Sequence, residues 1–335
     1  MKKKEIVFSA IQPTGLLTIG NYIGALSQWK KLQKKYFCIY CIADLHSLTI
    51  YQKDYILNKN ILDTLSMCLA CDIDPKKNII FIQSHVPQHS QLNWILNCFT
   101  NFGALNRMNQ FKEKKKLNKQ NINVGLFNYP ILMAADILLY KTNKVPVGKD
   151  QVQHIELVKS IAYKFNDIYG NIFNIPEKKL NDYGSCVMAL LNPIKKMSKS
   201  DPNKNNIISL FDDDMMVRKK INNAVTDSDF PPNIKYNLYS KPGISNLITI
   251  LANITGKSIE EIELDFINKN YNDLKTSVIY NLCIFLKNLR KKYYFYRNNE
   301  IYLKKIMFNG AKKAKKHAKI TLNNVYNSLG INFKS

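Results

Sequence analysis

Apolar runs and helical patterns alternate through the first half of the chain. Short apolar runs, which are typical of buried parallel strands, occupy residues 6–11, 37–43, 79–83 and 145–147. The stretches between them repeat their apolar positions with a helical period and predict helices at residues 21–35, 53–71, 89–101, 128–140 and 151–166. This alternation predicts an α/β fold with a Rossmann-like, doubly wound parallel sheet. Such sheets bind ligands at the carboxyl ends of their strands.

The second half of the chain has a different pattern. From about residue 212 onward no stretch has strand character, and helical periods predict helices at residues 245–255, 258–269, 276–297 and 301–329. We therefore expect two domains, a Rossmann-like domain over residues 1–200 and a C-terminal all-helical domain over residues 201–335.

The chain is strongly basic, with 49 lysines and arginines against 25 aspartates and glutamates and a formal net charge of +24. Arginine occupies only positions 107, 218, 290 and 297, so lysine carries nearly all of the excess. Because direct base recognition relies mostly on arginine, the charge fits compositional drift as well as it fits an RNA partner, and both explanations stay open. A hydrophobic content of 46% excludes a disordered chain.

Neither membrane nor metal signals are strong. No apolar run approaches the ~18 residues of a membrane span, and no secretory apolar segment follows the basic N-terminus, so we expect no membrane contact and a cytoplasmic location. Two Cys-x-x-Cys spacings, Cys38 to Cys41 and Cys68 to Cys71, could suggest zinc. The first lies in a predicted strand and the second in an apolar helix, so we expect these cysteines to pack in the core and predict no protein metal site.

Two segments have the chemistry of a phosphate site. After the first predicted strand, residues 12–21 lead into a helix, whose unpaired N–H groups and dipole attract anions. Taken alone, that segment is also an ordinary strand–helix connection. The pentapeptide Lys196-Met-Ser-Lys-Ser200 is more specific. Two lysines on a loop can follow negative charge onto a leaving pyrophosphate, while hydroxyl and N–H groups hold phosphate oxygens.

Together these segments resemble the two signature motifs of the class I aminoacyl-tRNA synthetases, with Thr18-Ile-Gly-Asn21 in place of the usual His-Ile-Gly-His. Within that class the chain resembles the bacterial tryptophanyl-tRNA synthetase family. The matching stretches run nearly from end to end, at residues 8–25, 83–87, 107–112, 129–140, 145–151 and 224–229. The resemblance implies a catalytic domain with a dimerisation insertion and a KMSKS loop over residues 1–200, and a helical tRNA anticodon-binding domain over residues 201–335.

The reaction that the resemblance implies has two steps. The carboxylate of L-tryptophan attacks the α-phosphate of ATP and releases pyrophosphate, and a terminal ribose hydroxyl of tRNA(Trp) then takes the tryptophanyl group and releases AMP. The resemblance also implies a homodimer and Mg²⁺ that is bound mainly through the ATP phosphates. One stripe of lysines on the last predicted helix would contact the tRNA, although a solvated lysine face has the same pattern: Lys312, Lys315, Lys316 and Lys319.

Asp136 gives a physical test of the tryptophan assignment, because it stands in an otherwise apolar predicted helix. Tyr129, Met133 and Asp136 fall at i, i+4 and i+7, on one helical face. A buried carboxylate needs a partner, and an apolar wall with one acceptor suits an indole, which donates only through its N–H. The spacing alone leaves open that Asp136 caps or bridges structural groups instead.

The resemblance implies further roles at matching positions. Three lysines would stabilise charge on the reacting phosphates: Lys112, Lys196 and Lys199. The ATP-binding set would be Gln12, Pro13, Thr14, Gly20, Asn21, Gly148, Lys149, Asp150, Val187, Lys196, Met197, Ser198, Lys199 and Ser200. The tryptophan-binding set would be Phe8, Gln12, His46, Tyr129, Met133, Asp136 and Gln151. Within these sets the ribose would meet Gly148 and Asp150, the adenine Val187, and the ammonium Tyr129 and Gln151.

Three positions depart from the family's usual pattern. Ala10 and Lys149 bear on fine ATP contacts and Leu45 bears on the support of His46, but none is a residue that carries the chemistry.

Three other functions stay open. A tyrosyl-tRNA synthetase would need polar partners for a phenol hydroxyl, a small-molecule nucleotidylyltransferase would not need the long helical second half, and a non-catalytic RNA-binding protein would need neither Asp136 nor the phosphate motifs.

Overall fold

The computed structural model describes residues 4–15, 17–49, 54–112, 123–180, 186–199, 201–229 and 231–331. Its sheet contains five parallel strands: β1 (Ile6–Ile11), β2 (Phe37–Ile42), β3 (Ile79–Ile82), β4 (Lys144–Val147) and β5 (Glu177–Leu180). Their spatial order is β3-β2-β1-β4-β5, so the direction of winding reverses at β1. The predicted doubly wound parallel sheet is confirmed.

The helices of the described residues flank the sheet and form most of the second half of the chain. They are α1 (Ile19–Asn21), α2 (Ser27–Leu32), α3 (Asp44–Ser47), α4 (Asp54–Ala70), α5 (Gln88–Phe99), α6 (Phe102–Asn106), α7 (Val124–Leu138), α8 (Val152–Tyr169), α9 (Asp214–Asn222), α10 (Pro242–Thr255), α11 (Ile259–Asp265), α12 (Tyr271–Arg297) and α13 (Glu300–Ser328). A π-helical turn, Tyr22–Leu26, joins α1 to α2.

The central strands of the sheet are buried on both faces, as their apolar sequences predict. In β2, Cys38, Tyr40 and Ile42 belong to one hydrophobic cluster, whereas Ile39 and Cys41 belong to a second cluster on the opposite face. The first cluster extends into α4, α10 and α12, and the second into α5, α7 and α8. The cysteines of both Cys-x-x-Cys spacings are buried in these clusters, which confirms that they pack in the core.

The observed elements differ from the predicted ones in three informative ways. The apolar pattern misses β5 because Glu177–Leu180 is a mostly exposed edge strand with two lysines, a composition typical of strand edges. The helix expected from residue 128 begins at Val124, because the Asn123 side chain caps it by accepting a 2.8 Å hydrogen bond from the Leu126 N–H. The helix expected at 21–35 begins at Ile19 and ends at Leu32.

The C-terminal helix lies directly on the sheet. A Cβ atom placed on Gly310 of α13 would lie 1.7 Å from the carbonyl oxygen of Ile80 in β3, so only glycine permits this approach. Next to Gly310, Ala311, Ala314 and Ala318 are buried on the same side of the helix. Within the described ranges, no helix is long and apolar enough to cross a membrane.

Candidate active site

Residues of the candidate site follow the carboxyl ends of four strands, β1 to β4, and all of them except Gln83 were predicted. Residues 12–14 follow β1, His46 lies shortly after β2, Gln83 follows β3 directly, and Gly148 follows β4. Because the strands are parallel, these segments meet at one edge of the sheet, where ligands bind in such folds.

The turn after β1 is held by a capping box. The Asn21 N–H donates to the Thr18 hydroxyl at 3.4 Å, and the Thr18 N–H donates back to Asn21 Oδ1 at 3.0 Å. Gly20 faces the lysine loop, since a Cβ placed on it would lie 3.6 Å from the Cβ atom of Met197. The two predicted phosphate segments, distant in sequence, are therefore in contact.

Backbone pairing positions the lysine loop. The Met197 N–H donates to the carbonyl of Val187 at 2.9 Å, and the Ala189 N–H donates to that of Lys195 at 2.8 Å. Lys199 reaches across to donate a hydrogen bond to the hydroxyl of Thr14. The loop thus connects the predicted adenine residue to the predicted phosphate residues. Ser200 and the side chain of Lys149 lie outside the described residues.

The predicted ribose residues also contact this loop. Lys196 Nζ lies 3.4 Å from Asp150 Oδ1, and both side chains are about half exposed. Burial alone would raise the pKa of Asp150, but the charge of Lys196 and a hydrogen bond from Gln151 outweigh it and lower that pKa. A Cβ atom on Gly148 would lie only 2.6 Å from Asp150 Oδ1, so glycine leaves room for this carboxylate.

Lys199 differs electrostatically from an exposed lysine. Burial lowers the pKa of its ammonium to about 8, because removal from water disfavours the charged form. A phosphate placed beside it would restore the charged form. Lys199 is therefore suited to take up charge when an anionic ligand arrives.

The predicted tryptophan residues form a continuous set of contacts beside the nucleotide segments. Phe8 stacks on Tyr140 with ring centroids 5.6 Å apart, and the edge of His46 faces Tyr129 with centroids 6.4 Å apart. The Tyr129 hydroxyl donates to Gln110 Oε1 at 3.1 Å and lies 2.8 Å from His154 Nε2. Phe8, Tyr129 and His46 are buried.

The other members of the set differ in their burial. Met133 is partly buried against the same hydrophobic cluster. Gln151 Nε2 lies 3.4 Å from Asp150 Oδ2, so a predicted ammonium residue contacts a predicted ribose residue. Gln12 is exposed at the end of β1, and its carbonyl accepts the Thr14 N–H at 2.9 Å. Pro13 is buried beside it.

Asp136 is the most strongly engaged carboxylate of the pocket, with only 1% of its surface exposed. It accepts hydrogen bonds from Gln83 Nε2 at 2.7 Å, His89 Nδ1 at 2.6 Å and His46 Nε2 at 2.8 Å. Burial alone would raise the pKa of Asp136, but the hydrogen bonds from His46 and His89 outweigh it and hold that pKa well below its usual range. The group is therefore an ionised acceptor.

Sequence reasoning missed three partners of this carboxylate network: Gln83, His89 and Tyr140. Gln83 stood inside a matching stretch but had no role assigned. His89 shares the buried side of α5 with Leu92, Ile95 and Leu96, so a polar residue on an apolar helical face was the available signal.

Some predicted residues are not joined to the site by the described contacts. Lys112 is the last described residue before position 123, and its side chain is exposed. In the described part of the chain no contact links it to Lys196 or Lys199. The lysines of the α13 stripe, at positions 312, 315, 316 and 319, are all exposed opposite the buried alanines. Their surface position is as expected, and their RNA contacts stay a prediction.

A capped glycine turn and a lysine loop at the carboxyl edge of a doubly wound sheet are typical of nucleotide-binding α/β proteins. The model of the family "tRNA synthetases class I (W and Y)" matches residues 1–287, and the chain belongs to this family. It is 55% identical over 328 residues to Tryptophan--tRNA ligase of Buchnera aphidicola, with 98% of each chain covered.

Solved structures agree with this assignment. Tryptophanyl-tRNA synthetase from Mycoplasma pneumoniae superposes with a TM-score of 0.90 at 32% identity, covering 98% of both chains. The enzyme from Campylobacter jejuni, complexed with ADP and tryptophan, superposes with a TM-score of 0.80 at 34% identity and covers 97% of this chain and 99% of its own.

Proposed function

We propose that this chain is a tryptophan–tRNA ligase, which activates L-tryptophan with ATP and transfers it to tRNA(Trp). The near full-length identity of 55% to a Tryptophan--tRNA ligase supports the activity. The observation that carries the substrate assignment is Asp136, a buried and ionised acceptor that is hydrogen-bonded to His46, one of the predicted tryptophan residues. An indole offers one N–H donor to one acceptor, which is the match that this pocket provides.

The pocket explains how the enzyme would reject similar amino acids. Phenylalanine would fill the aromatic space but would leave Asp136 without a donor from the substrate. Asp136 keeps its three protein donors in that case, so the loss is one hydrogen bond to a charged acceptor, which lowers kcat/KM by about 10- to 150-fold. Tyrosine carries its polar group as a hydroxyl at the far end of a single six-membered ring, so it cannot place a donor where the five-membered ring of indole places its N–H.

Catalysis would come from position and charge. Tryptophan in the pocket would hold its carboxylate near Gln12, with its ammonium between Tyr129 and Gln151. ATP would lie across Gly20, with its ribose at Asp150 and its adenine beside Val187. The carboxylate oxygen then attacks the α-phosphorus, and the bond to the pyrophosphate oxygen breaks.

Charge that develops on the leaving pyrophosphate would be stabilised by Lys196, Lys199 and Lys112. For this, Lys196 must leave Asp150, where it lies at 3.4 Å, and Lys199 must exchange the Thr14 hydroxyl for phosphate oxygens. Both exchanges replace a contact within the protein by one with a more highly charged partner, which favours the bound state.

Mg²⁺ would enter with ATP and be held mainly by phosphate oxygens, since Mg²⁺ commonly binds through substrate phosphates. The side chains around the phosphate segments fit this arrangement. The side chains that we assign to the phosphates, Lys112, Lys196 and Lys199, are cationic and do not bind metals, and Asp150 is assigned to the ribose. The metal would supply positive charge to the triphosphate.

The transfer step requires tRNA, and we propose that the exposed lysine stripe of α13 contributes to its binding. Within this proposal, residues 1–200 form the catalytic domain with a dimerisation insertion, and residues 201–335 form the anticodon-binding domain.

A homodimer is supported by exposed apolar side chains near α5 and α7, namely Trp94, Phe102 and Val124, which are each more than 70% exposed. We propose a cytoplasmic location, where tRNA and ATP are both present.

Exchange of labelled pyrophosphate into ATP tests the proposal. We expect exchange with tryptophan, almost none with tyrosine or phenylalanine, and formation of tryptophanyl-tRNA when tRNA(Trp) is added. Exchange with tyrosine instead would favour the other specificity of the family. RNA binding without amino-acid-dependent exchange would show that the chain is not a ligase.

A further inference from the structure

His89 lies outside every residue set that carries the proposed reaction, yet it is fully buried and contacts Asp136. Its Nδ1 atom lies 2.6 Å from Asp136 Oδ1, and its Nε2 atom lies 2.8 Å from the hydroxyl of Tyr140. The ring also packs at 5.6 Å from the centroids of both Phe81 and Tyr140. Its position is therefore fixed by two hydrogen bonds and two aromatic rings.

The protonation of this histidine follows from its partner. An ionised carboxylate can only accept, so Nδ1 of His89 carries a proton and donates to Asp136. Burial raises the pKa of Tyr140 well above its usual range, so its phenol stays neutral and can pair with Nε2 in either direction. The hydrogen bond between Nε2 and the Tyr140 hydroxyl therefore fixes the orientation of the His89 ring on the side opposite to Asp136.

The hydrogen bonds to Asp136 are unevenly divided between its two oxygens. Oδ1 accepts from both Gln83 and His89, whereas Oδ2 accepts only from His46 among the described residues. A carboxylate offers about four acceptor directions, two on each oxygen. Oδ1 is therefore filled, and one direction is left on Oδ2, the oxygen next to a predicted pocket residue.

We propose that His89 is a positioning residue for tryptophan recognition: by filling Oδ1 and fixing the plane of the Asp136 carboxylate, it directs the one open acceptor of Oδ2 toward the substrate's indole N–H. This inference rests on the proposed function, because it assumes that Asp136 accepts from an indole. His89 itself would not touch the substrate. Its effect would be on the affinity and selectivity for tryptophan rather than on the phosphate chemistry.

A pair of substitutions separates this role from general packing. An asparagine amide can occupy the place of Nδ1, so His89→Asn keeps a donor to Asp136. A glutamine amide reaches the place of Nε2 instead, so His89→Gln keeps a partner for Tyr140 and loses the donor at Nδ1. Both replacements are polar and uncharged, so they test the place of the donor rather than polarity. His89→Leu removes both contacts and serves as the third variant.

Pyrophosphate exchange should be measured for each variant with tryptophan and phenylalanine, together with denaturant unfolding. For His89→Gln and His89→Leu we expect the apparent KM for tryptophan to rise about tenfold or more, because a hydrogen bond to a charged carboxylate is worth about a factor of ten or more. The KM for ATP and kcat should change little, and the preference for tryptophan over phenylalanine should fall. His89→Asn should recover most of the tryptophan KM.

The outcomes are distinguishable. If the unsubstituted chain shows no tryptophan-dependent exchange, the proposed function is wrong and this inference falls with it. If the unsubstituted chain is active but His89→Asn is no better than His89→Gln, or all variants lose stability without a selective rise in the KM for tryptophan, the inference alone is overturned. Should His89→Leu fail to fold, the ranking of the asparagine and glutamine variants still decides between these outcomes.

Discussion

Replacing Asp136 by asparagine changes the central acceptor of the pocket with almost no change in shape. The carboxylate accepts from three buried donors, on Gln83, His89 and His46. An amide has one acceptor oxygen and one N–H₂ group, so one of its ends must face a donor. The less unfavourable orientation turns the amide nitrogen toward His46, which can change tautomer, and keeps the oxygen toward the two donors at Oδ1.

That orientation determines the effect on the substrate. The amide nitrogen would then occupy the acceptor direction assigned to the indole N–H, and a donor would meet a donor. A hydrogen bond to a charged group contributes about 1.5–3 kcal/mol, so kcat/KM for tryptophan should fall by about 10- to 150-fold. Phenylalanine never makes this bond, so its kcat/KM should change much less. The free energy of unfolding should fall by about 1–3 kcal/mol, because the buried donors then bond to a neutral group rather than to a charged one.

Pyrophosphate exchange with both amino acids, for the unsubstituted chain and Asp136→Asn, measures this ratio directly. Acid unfolding adds a second readout. The folded-state pKa of Asp136 is depressed, so its contribution to stability is fully present above pH ~4 and is lost as the pH falls toward the folded-state pKa. The Asp136→Asn variant should lack this part of the dependence of unfolding free energy on pH. The ratio of kcat/KM for tryptophan to kcat/KM for phenylalanine should therefore fall. A change in this ratio by less than a factor of about two would refute the reasoning, because a loss of only about 0.5 kcal/mol already changes it by more than that.

Three further predictions follow from the geometry. Because burial lowers the pKa of Lys199 to about 8, kcat/KM for ATP should decline as the pH rises through that value, and Lys199→Arg should remove the decline by keeping its charge. Gly148→Ala should raise the KM for ATP, without weakening tryptophan binding in calorimetry, because its Cβ would lie 2.6 Å from Asp150 Oδ1. Gly310→Ala should lower the free energy of unfolding by about 3 kcal/mol or more in denaturant titrations, since its Cβ would lie 1.7 Å from the Ile80 oxygen.

Matched variants control each of these. Lys195→Arg changes an exposed lysine of the same loop and should leave the alkaline decline in place. Gly103→Ala adds a Cβ that meets only the end of the Arg107 side chain at 3.4 Å, so it should affect neither the ATP KM nor stability by comparable amounts. A decline of kcat/KM at high pH that persists in Lys199→Arg would contradict the first prediction. A KM for ATP in Gly148→Ala, or a free energy of unfolding in Gly310→Ala, that equals the value in Gly103→Ala would contradict the other two.

The sheet could be predicted from the sequence because its central strands are buried on both faces. Ile6–Ile11 and Phe37–Ile42 are nearly continuous apolar runs, which is the pattern expected of central strands in a parallel sheet. The edge strand Glu177–Leu180 is paired on one side only and is mostly exposed, so it needs no apolar pattern and leaves no signal. Its pairing with β4 is a property of the tertiary structure.

The site was predictable to a different extent in its two halves. The phosphate half is encoded in short segments, so Gly20 and Lys199 could be named from local sequence and from resemblance. The network around Asp136 joins residues of α3, α5, α7 and the turn after β3 that lie far apart in the chain, with His46 90 positions, Gln83 53 positions and His89 47 positions away. Local periodicity has no access to such distances, and the donors to Asp136 became visible only in the fold.

The central claim is that Asp136 recognises the indole N–H, and a change in the substrate tests it most directly. The sulfur isostere of tryptophan, in which a benzothiophene replaces the indole, keeps the ring shape and lacks only that donor. We predict that the unsubstituted chain exchanges pyrophosphate with the isostere at a kcat/KM at least about tenfold below that for tryptophan, and that Asp136→Asn abolishes most of this difference. Equal kcat/KM values for the two amino acids in the unsubstituted chain would contradict the account.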